Sequence, residues 1–111
     1  MKEFIYPEKF DSILADRVND GCGPEGWKNN LIPDVFLWAD FKEACRIHDY
    51  DFFLGGNLAD FEAANERFYQ NMLIAIHNCE KAKLLNPVKR AMARLYRNKV
   101  IKYGKLFFNW A

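Results

Sequence analysis

Cys45, His48, Asp49 and Phe52 stand three and four residues apart, a spacing that lines them along one side of a helix. A histidine can act as a general base near neutral pH. The carboxylate beside it offers oxygen ligands to a hard cation such as calcium. Upstream, Gly21-Cys22-Gly23-Pro24-Glu25-Gly26 could wrap a cation in backbone carbonyls, because glycine tolerates the backbone angles this needs.

The elements that must position these groups follow from the pattern along the chain. Residues 9–18 suit a short first helix, and 19–27 form a loop with three glycines and a proline. Residues 28–38, which contain Pro33, read as a loop with a short helical turn. Asp40 is an expected N-cap with Glu43 as its capping-box partner, opening a helix over 41–54 that stops at Gly55-Gly56. Asn57 caps the next helix, 58–78, whose Phe61, Phe68, Met72 and Ile76 keep a helical period. Pro87 fits the first turn of a last helix over 87–103. On that helix Val88, Met92, Leu95 and Tyr96 form the expected apolar stripe, with Lys89, Arg90, Arg94 and Arg97 on the remaining surface. Few segments alternate with a period of two, so few or no strands are expected.

The loop GCGPEG followed by CRIHD resembles the secretory phospholipase A2 superfamily, in its bacterial, phage-like and viral variants. That family carries a glycine-rich calcium loop and then a helix bearing Cys-x-x-His-Asp. ADFEAANERFYQNM is similar to the family's second long helix, so the likeness spans about residues 19–76. It implies an all-α domain over 1–111, with two long antiparallel helices carrying the His-Asp site, a calcium-binding loop before them and a basic C-terminal helix. The implied activity is calcium-dependent hydrolysis of the sn-2 ester of glycerophospholipids. His48 would draw a proton from the attacking water. Ca2+ would be held by the Asp49 side chain and by the carbonyls of Gly21, Gly23 and Glu25, with the Gly23 N–H as oxyanion donor. The likeness also implies a Cys22–Cys45 disulfide, which leaves Cys79 over.

Two positions depart from the family's pattern. Phe52 stands where a tyrosine is usual, four residues after the histidine. The partner helix should also present an aspartate that orients the histidine. With a turn at Gly55-Gly56, His48 faces residues near 63–65. Asn65 lies within about 60° of Phe61, Phe68 and Met72, whereas Asp60 points about 140° away. Geometry thus favours Asn65 over Asp60 as the orienting residue. Phe52 and Asn65 also support a second reading, a non-catalytic relative that binds lipid or a protein partner.

Composition bounds these readings. The chain has 111 residues, half of them apolar and 16% aromatic, enough for one domain with its own core. The start, MKEFIYPEKF, has no apolar h-region, so no secretory signal peptide is read there, and the compartment stays open. Three cysteines allow at most one internal disulfide, so the fold depends on its core. A zinc site of Cys22, Cys45, His48 and Asp49 is the metal alternative. The net charge of +1 conceals an asymmetry. Residues 1–79 carry seven Lys/Arg against fourteen Asp/Glu, and residues 80–111 carry nine against one. The basic end suits an anionic partner, a phospholipid membrane surface above all, since no nucleic-acid motif is present. Phe107, Phe108 and Trp110 beside Lys102 and Lys105 would suit a membrane interface, but a small domain needs such aromatics in its core, which is the favoured expectation.

Overall fold

The computed structural model describes residues 1–19 and 32–111, and the glycine loop with Gly21, Cys22, Gly23 and Glu25 lies outside them. The described chain is mostly helical: α1 (Ser12–Val18), α2 (Lys42–Leu54), α3 (Leu58–Asn78) and α4 (Asn86–Gly104), with one short hairpin of β1 (Val35–Phe36) and β2 (Ala39–Asp40). The first helix begins later than its apolar pattern predicts because Asp11 ends the preceding loop. The Asp11 carboxylate accepts the N–H groups of Ile13 and Leu14. Residues 35–40 form the antiparallel pair, not a helical turn. Leu37 and Trp38 take both left-handed turn positions, at φ 47° and 70°, where Asn-Gly is the favoured sequence. Lacking that signature, the hairpin gives no sequence signal.

At α2 the expected capping box does not form. Asp40 accepts the Lys42 N–H at 2.9 Å, but Glu43 turns away to Arg46 and to the Tyr6 hydroxyl. A guanidinium offers the carboxylate stronger, charge-assisted bonds than the backbone N–H does. At α3 the predicted Asn57 cap forms, and it is part of a full capping box that was not expected, with Asp60 as the reciprocal acceptor from the Asn57 N–H.

Between α2 and α3 the chain turns at Gly55 and Gly56, both at positive φ. The C-terminal segment lies across this turn. The Gly56 N–H donates to the Asn109 carbonyl, the Ala111 N–H to Gly56, and the Asn109 N–H to Phe52. Phe108 is thereby buried against Phe52, Phe61 and Ala64. The N-terminal segment is held in a different way. Asn71 and Asn78, two turns apart on α3, each accept from the N–H and donate to the carbonyl of a single residue, Ile5 and Lys2 respectively. These carboxamides do the work of a β-ladder for a segment that lies on the surface with most of its residues exposed. With α1, α3 and both chain ends around it, α2 is buried nearly all round, from Ala44 to Phe52.

The apolar stripe of α4 has the predicted period but a different phase. Lys89, Ala93, Tyr96, Val100 and Gly104 face inward, while Val88 and Leu95 are half exposed. Lys89 is fully buried, its Nζ donating to the Lys81 carbonyl at 2.8 Å and lying 3.8 Å from Cys79 Sγ. A lysine at the first inward position hid this phase, because a charge is expected outside unless it is hydrogen-bonded. The main core joins Phe41, Cys45, Phe68, Met72, Ile76, Tyr96 and Val100.

Candidate functional site

His48 is completely buried. Its ring lies between Phe52 and Phe68, with centroids at 4.2 and 4.5 Å. Across the interface Asn65 of α3, 1% exposed, brings its Oδ1 to 2.9 Å from His48 Nε2. A carboxamide oxygen only accepts, so this bond places the imidazole proton on Nε2 and the basic lone pair on Nδ1. The packing that achieves this comes from the helical period: Phe61, Ala64, Asn65, Phe68 and Met72 are among the buried positions of α3. Asp60 is exposed and occupied in the capping box.

Asp49, next along α2, is 7% exposed. Its carboxylate is a hard oxygen donor, a type that suits calcium. The other proposed ligands, Gly21, Gly23 and Glu25, lie outside the described residues. So does Cys22, and with it the predicted partner of Cys45. Among the described residues, no three His, Cys, Asp or Glu converge on a common point. Cys79 carries a free thiol.

Asn65 differs from an ideal orienting group in one respect. Its Nδ2 is buried and makes no hydrogen bond among the described residues. Beyond it, Phe61, Asn65, Arg97 and Ile101 help to line a cavity of about 200 Å³ between α3 and α4. A second cavity, of about 320 Å³, has Phe4, Trp38, Glu43, Ala75 and Cys79 in its walls, without His48.

Sequence reasoning missed two polar contacts of α2. One turn from His48, Asp51 is 8% exposed and receives Arg67 Nη1 at 2.7 Å. Burial holds the Asp51 carboxyl above its usual range, although the bond from Arg67 pulls the other way. The folded state therefore binds the Asp51 proton more readily than the unfolded chain. Stability from this group is full below the ordinary aspartate range and is lost as pH rises through the raised value. Replacing Arg67 by methionine raises that value further. The variant is expected to lose about 2 kcal/mol at pH 7, below the cost of a fully buried pair because Arg67 is 23% exposed. That deficit should shrink near pH 4, as followed by urea unfolding at both pH values. An equal deficit at both would contradict the pairing.

The second contact pins the N-terminal segment to α2. The Tyr6 hydroxyl donates to Glu43 Oε2 at 2.6 Å. Burial, and then this bond to a carboxylate, push the phenol up to about 12. For Glu43, burial raises the carboxyl, but the bonds from Arg46 and Tyr6 outweigh it and hold it below its usual value. Neither contact leaves a signal in the sequence, since Tyr6 and Glu43 are 37 residues apart.

No family model matches the chain, and no curated protein or solved structure does either.

Proposed function

We propose that this protein hydrolyses the sn-2 ester of glycerophospholipids in a calcium-dependent reaction. The observation that carries the reading is the buried His48 held by Asn65 through Nε2, with the Asp49 carboxylate next to it. It gains support from the arrangement of α2 and α3. Phe52 meets Phe61 and His48 meets Asn65, the reverse sequence order expected of two antiparallel helices sharing a site.

In this reading the Nδ1 lone pair of His48 accepts a proton from a water positioned for attack on the ester carbonyl. Asn65 fixes the tautomer and the ring plane, and Phe52 and Phe68 exclude bulk water from the ring faces. Asp49, with the carbonyls of Gly21, Gly23 and Glu25, would hold the Ca2+. That ion would supply Lewis-acid stabilisation of the phosphate and the developing oxyanion. The Gly23 N–H would donate to the same oxyanion. A Cys22–Cys45 disulfide would tie the glycine loop to α2.

The experiment is fatty-acid release from mixed anionic and zwitterionic vesicles, with millimolar calcium, with chelator and with a His48 variant. Release that needs both calcium and His48 is the expected result. No release above the variant background, from folded protein, would sink the reading. Phe52 and Asn65, where the family has tyrosine and aspartate, favour the second reading, a non-catalytic lipid- or partner-binding relative, and that result would select it.

Two further outcomes test the details. Asn65→Asp puts a carboxylate against Nε2, which stabilises the imidazolium. The acid limb of the pH–rate profile should move to higher pH, and the plateau rate should rise. An unshifted limb would show that residue 65 does not act through His48. Thiol titration under denaturing, non-reducing conditions should find one reactive cysteine, Cys79. Three thiols would remove the disulfide and revive the zinc alternative.

A further inference from the structure

Lys89 is the side chain whose place in the fold packing explains least. It sits in the first turn of α4 and is fully buried. No carboxylate pairs with it among the described residues, and Glu80, close to it in sequence, is held by Lys83 at 2.9 Å. The first turn of a helix is also where the backbone dipole disfavours a cation. A methionine of similar volume would fill this position without the desolvation cost of a charge.

The contacts of Lys89 point to chemistry instead. Its Nζ meets the Lys81 carbonyl at 2.8 Å and Cys79 Sγ at 3.8 Å. Cys79 ends α3, and the chain turns back through Ala82, at φ 54°, and the single 3₁₀ turn Lys83–Leu85. That reversal brings an amine and a thiol ten positions apart into contact. The thiol is free and partly buried, and it stands with Phe4, Trp38 and Ala75 in the wall of the 320 Å³ cavity. A molecule as small as hydrogen peroxide fits that space. Once oxidised, a cysteine sulfur is an electrophile that a neighbouring nitrogen can capture.

We propose that Cys79 and Lys89 form a peroxide-dependent modification site, in which the oxidised sulfur of Cys79 is captured by Lys89 as an Sγ–Nζ sulfenamide link. Hydrogen peroxide first transfers one oxygen to the thiol. The S–O bond forms as the O–O bond breaks, giving a sulfenic acid and water; sulfur is oxidised by two electrons and the peroxide is reduced. The Lys89 ammonium releases one proton to solvent, and its Nζ attacks Sγ. The N–S bond forms as the S–O bond breaks, and the hydroxyl leaves as a second water with one proton of the amine. The link ties the end of α3 to α4 and withholds the sulfur from further oxidation. A dithiol reverses it, returning thiol and amine as the dithiol becomes a disulfide. The site uses no residue of the His48 centre, so it stands or falls apart from hydrolysis.

The test treats the full chain with hydrogen peroxide, quenches with catalase, alkylates free thiols and maps peptides by mass spectrometry without reductant. The expected product joins residues 79 and 89 and is two hydrogens lighter than the sum of its parent peptides. It should resist tryptic cleavage after Lys89 and disappear on dithiothreitol treatment. Lys89→Met should abolish the link and raise sulfinic and sulfonic acid at Cys79 about fivefold, since the sulfur is no longer captured. This variant should keep its circular dichroism and Tm, because a buried charge gives way to an apolar chain of similar volume. Lys89→Arg keeps a cation and its donors but has no amine to attack sulfur, so it should lack the link too. Equal oxidation of Cys79 in the parent and both variants, with no linked peptide, would overturn the inference. So would a Cys79 thiol that peroxide leaves unmodified, a link to Lys81 or Lys83 in place of Lys89, or a disulfide from Cys79 to Cys22 or Cys45.

Discussion

On the proposed function, replacing His48 by asparagine is expected to lower calcium-dependent fatty-acid release by about 10²–10⁴-fold, the range typical of losing a positioned general base. The loss should appear in kcat, not in KM, because in the proposed reaction the imidazole acts on the water and not on the lipid's binding contacts. Asparagine has no basic lone pair at neutral pH. The smaller side chain also leaves space between Phe52 and Phe68, so a stability loss of about 1–2 kcal/mol should accompany the change. Release is therefore measured at a temperature where circular dichroism shows the variant folded. Activity within threefold of the parent would remove His48 from the chemistry. The alternative would then be a buried histidine that packs against two phenylalanines and satisfies Asn65.

The second large effect concerns stability. Gly55→Ala is expected to cost about 3–5 kcal/mol and to lower Tm by more than about 10 °C. Gly55 sits at φ 66°, ψ −150°, a region essentially reserved for glycine. An added Cβ would lie 1.7 Å from the Asn109 carbonyl oxygen, which is backbone and cannot swing aside. The C-terminal segment would have to lift, breaking its bonds to Gly56 and Phe52 and exposing Phe108. Removing residues 105–111 isolates this mechanism. The truncated chain should be less stable, and Gly55→Ala should cost it only the backbone strain, about 1–3 kcal/mol. Equal costs in both backgrounds would show that the clash with Asn109 does not matter. Gly56→Ala is a weaker case, since its Cβ would meet the Asp60 side chain, which has some freedom to move.

Gly55 also illustrates what was legible in the sequence. A glycine pair after an apolar helix marked the end of α2, and the cap at Asn57 marked the start of α3. These are local signals, decided within a few residues by backbone sterics and capping. That the first glycine also makes room for Asn109, 54 positions away, is a tertiary fact with no local trace. The hairpin at Phe36–Ala39 was invisible because its turn residues, Leu37 and Trp38, are not those that favour left-handed angles.

For the candidate site, the sequence alone determined that His48 and Asp49 share a helix. It also determined, through a 100° helical step and the position of the turn, that Asn65 and not Asp60 faces the histidine. Both follow from periodicity, which sequence spacing encodes directly. Tertiary structure alone decided the rest. It placed Phe68 with its ring centroid 4.5 Å from that of the imidazole, paired Asp51 with Arg67, drew Glu43 away from its cap, and turned Lys89 into the core. It also divided the terminal aromatics between core and surface. In each case the outcome depended on which distant group arrived as a partner. A side chain's own type sets what it can bond to, but only the fold brings that partner within about 3 Å.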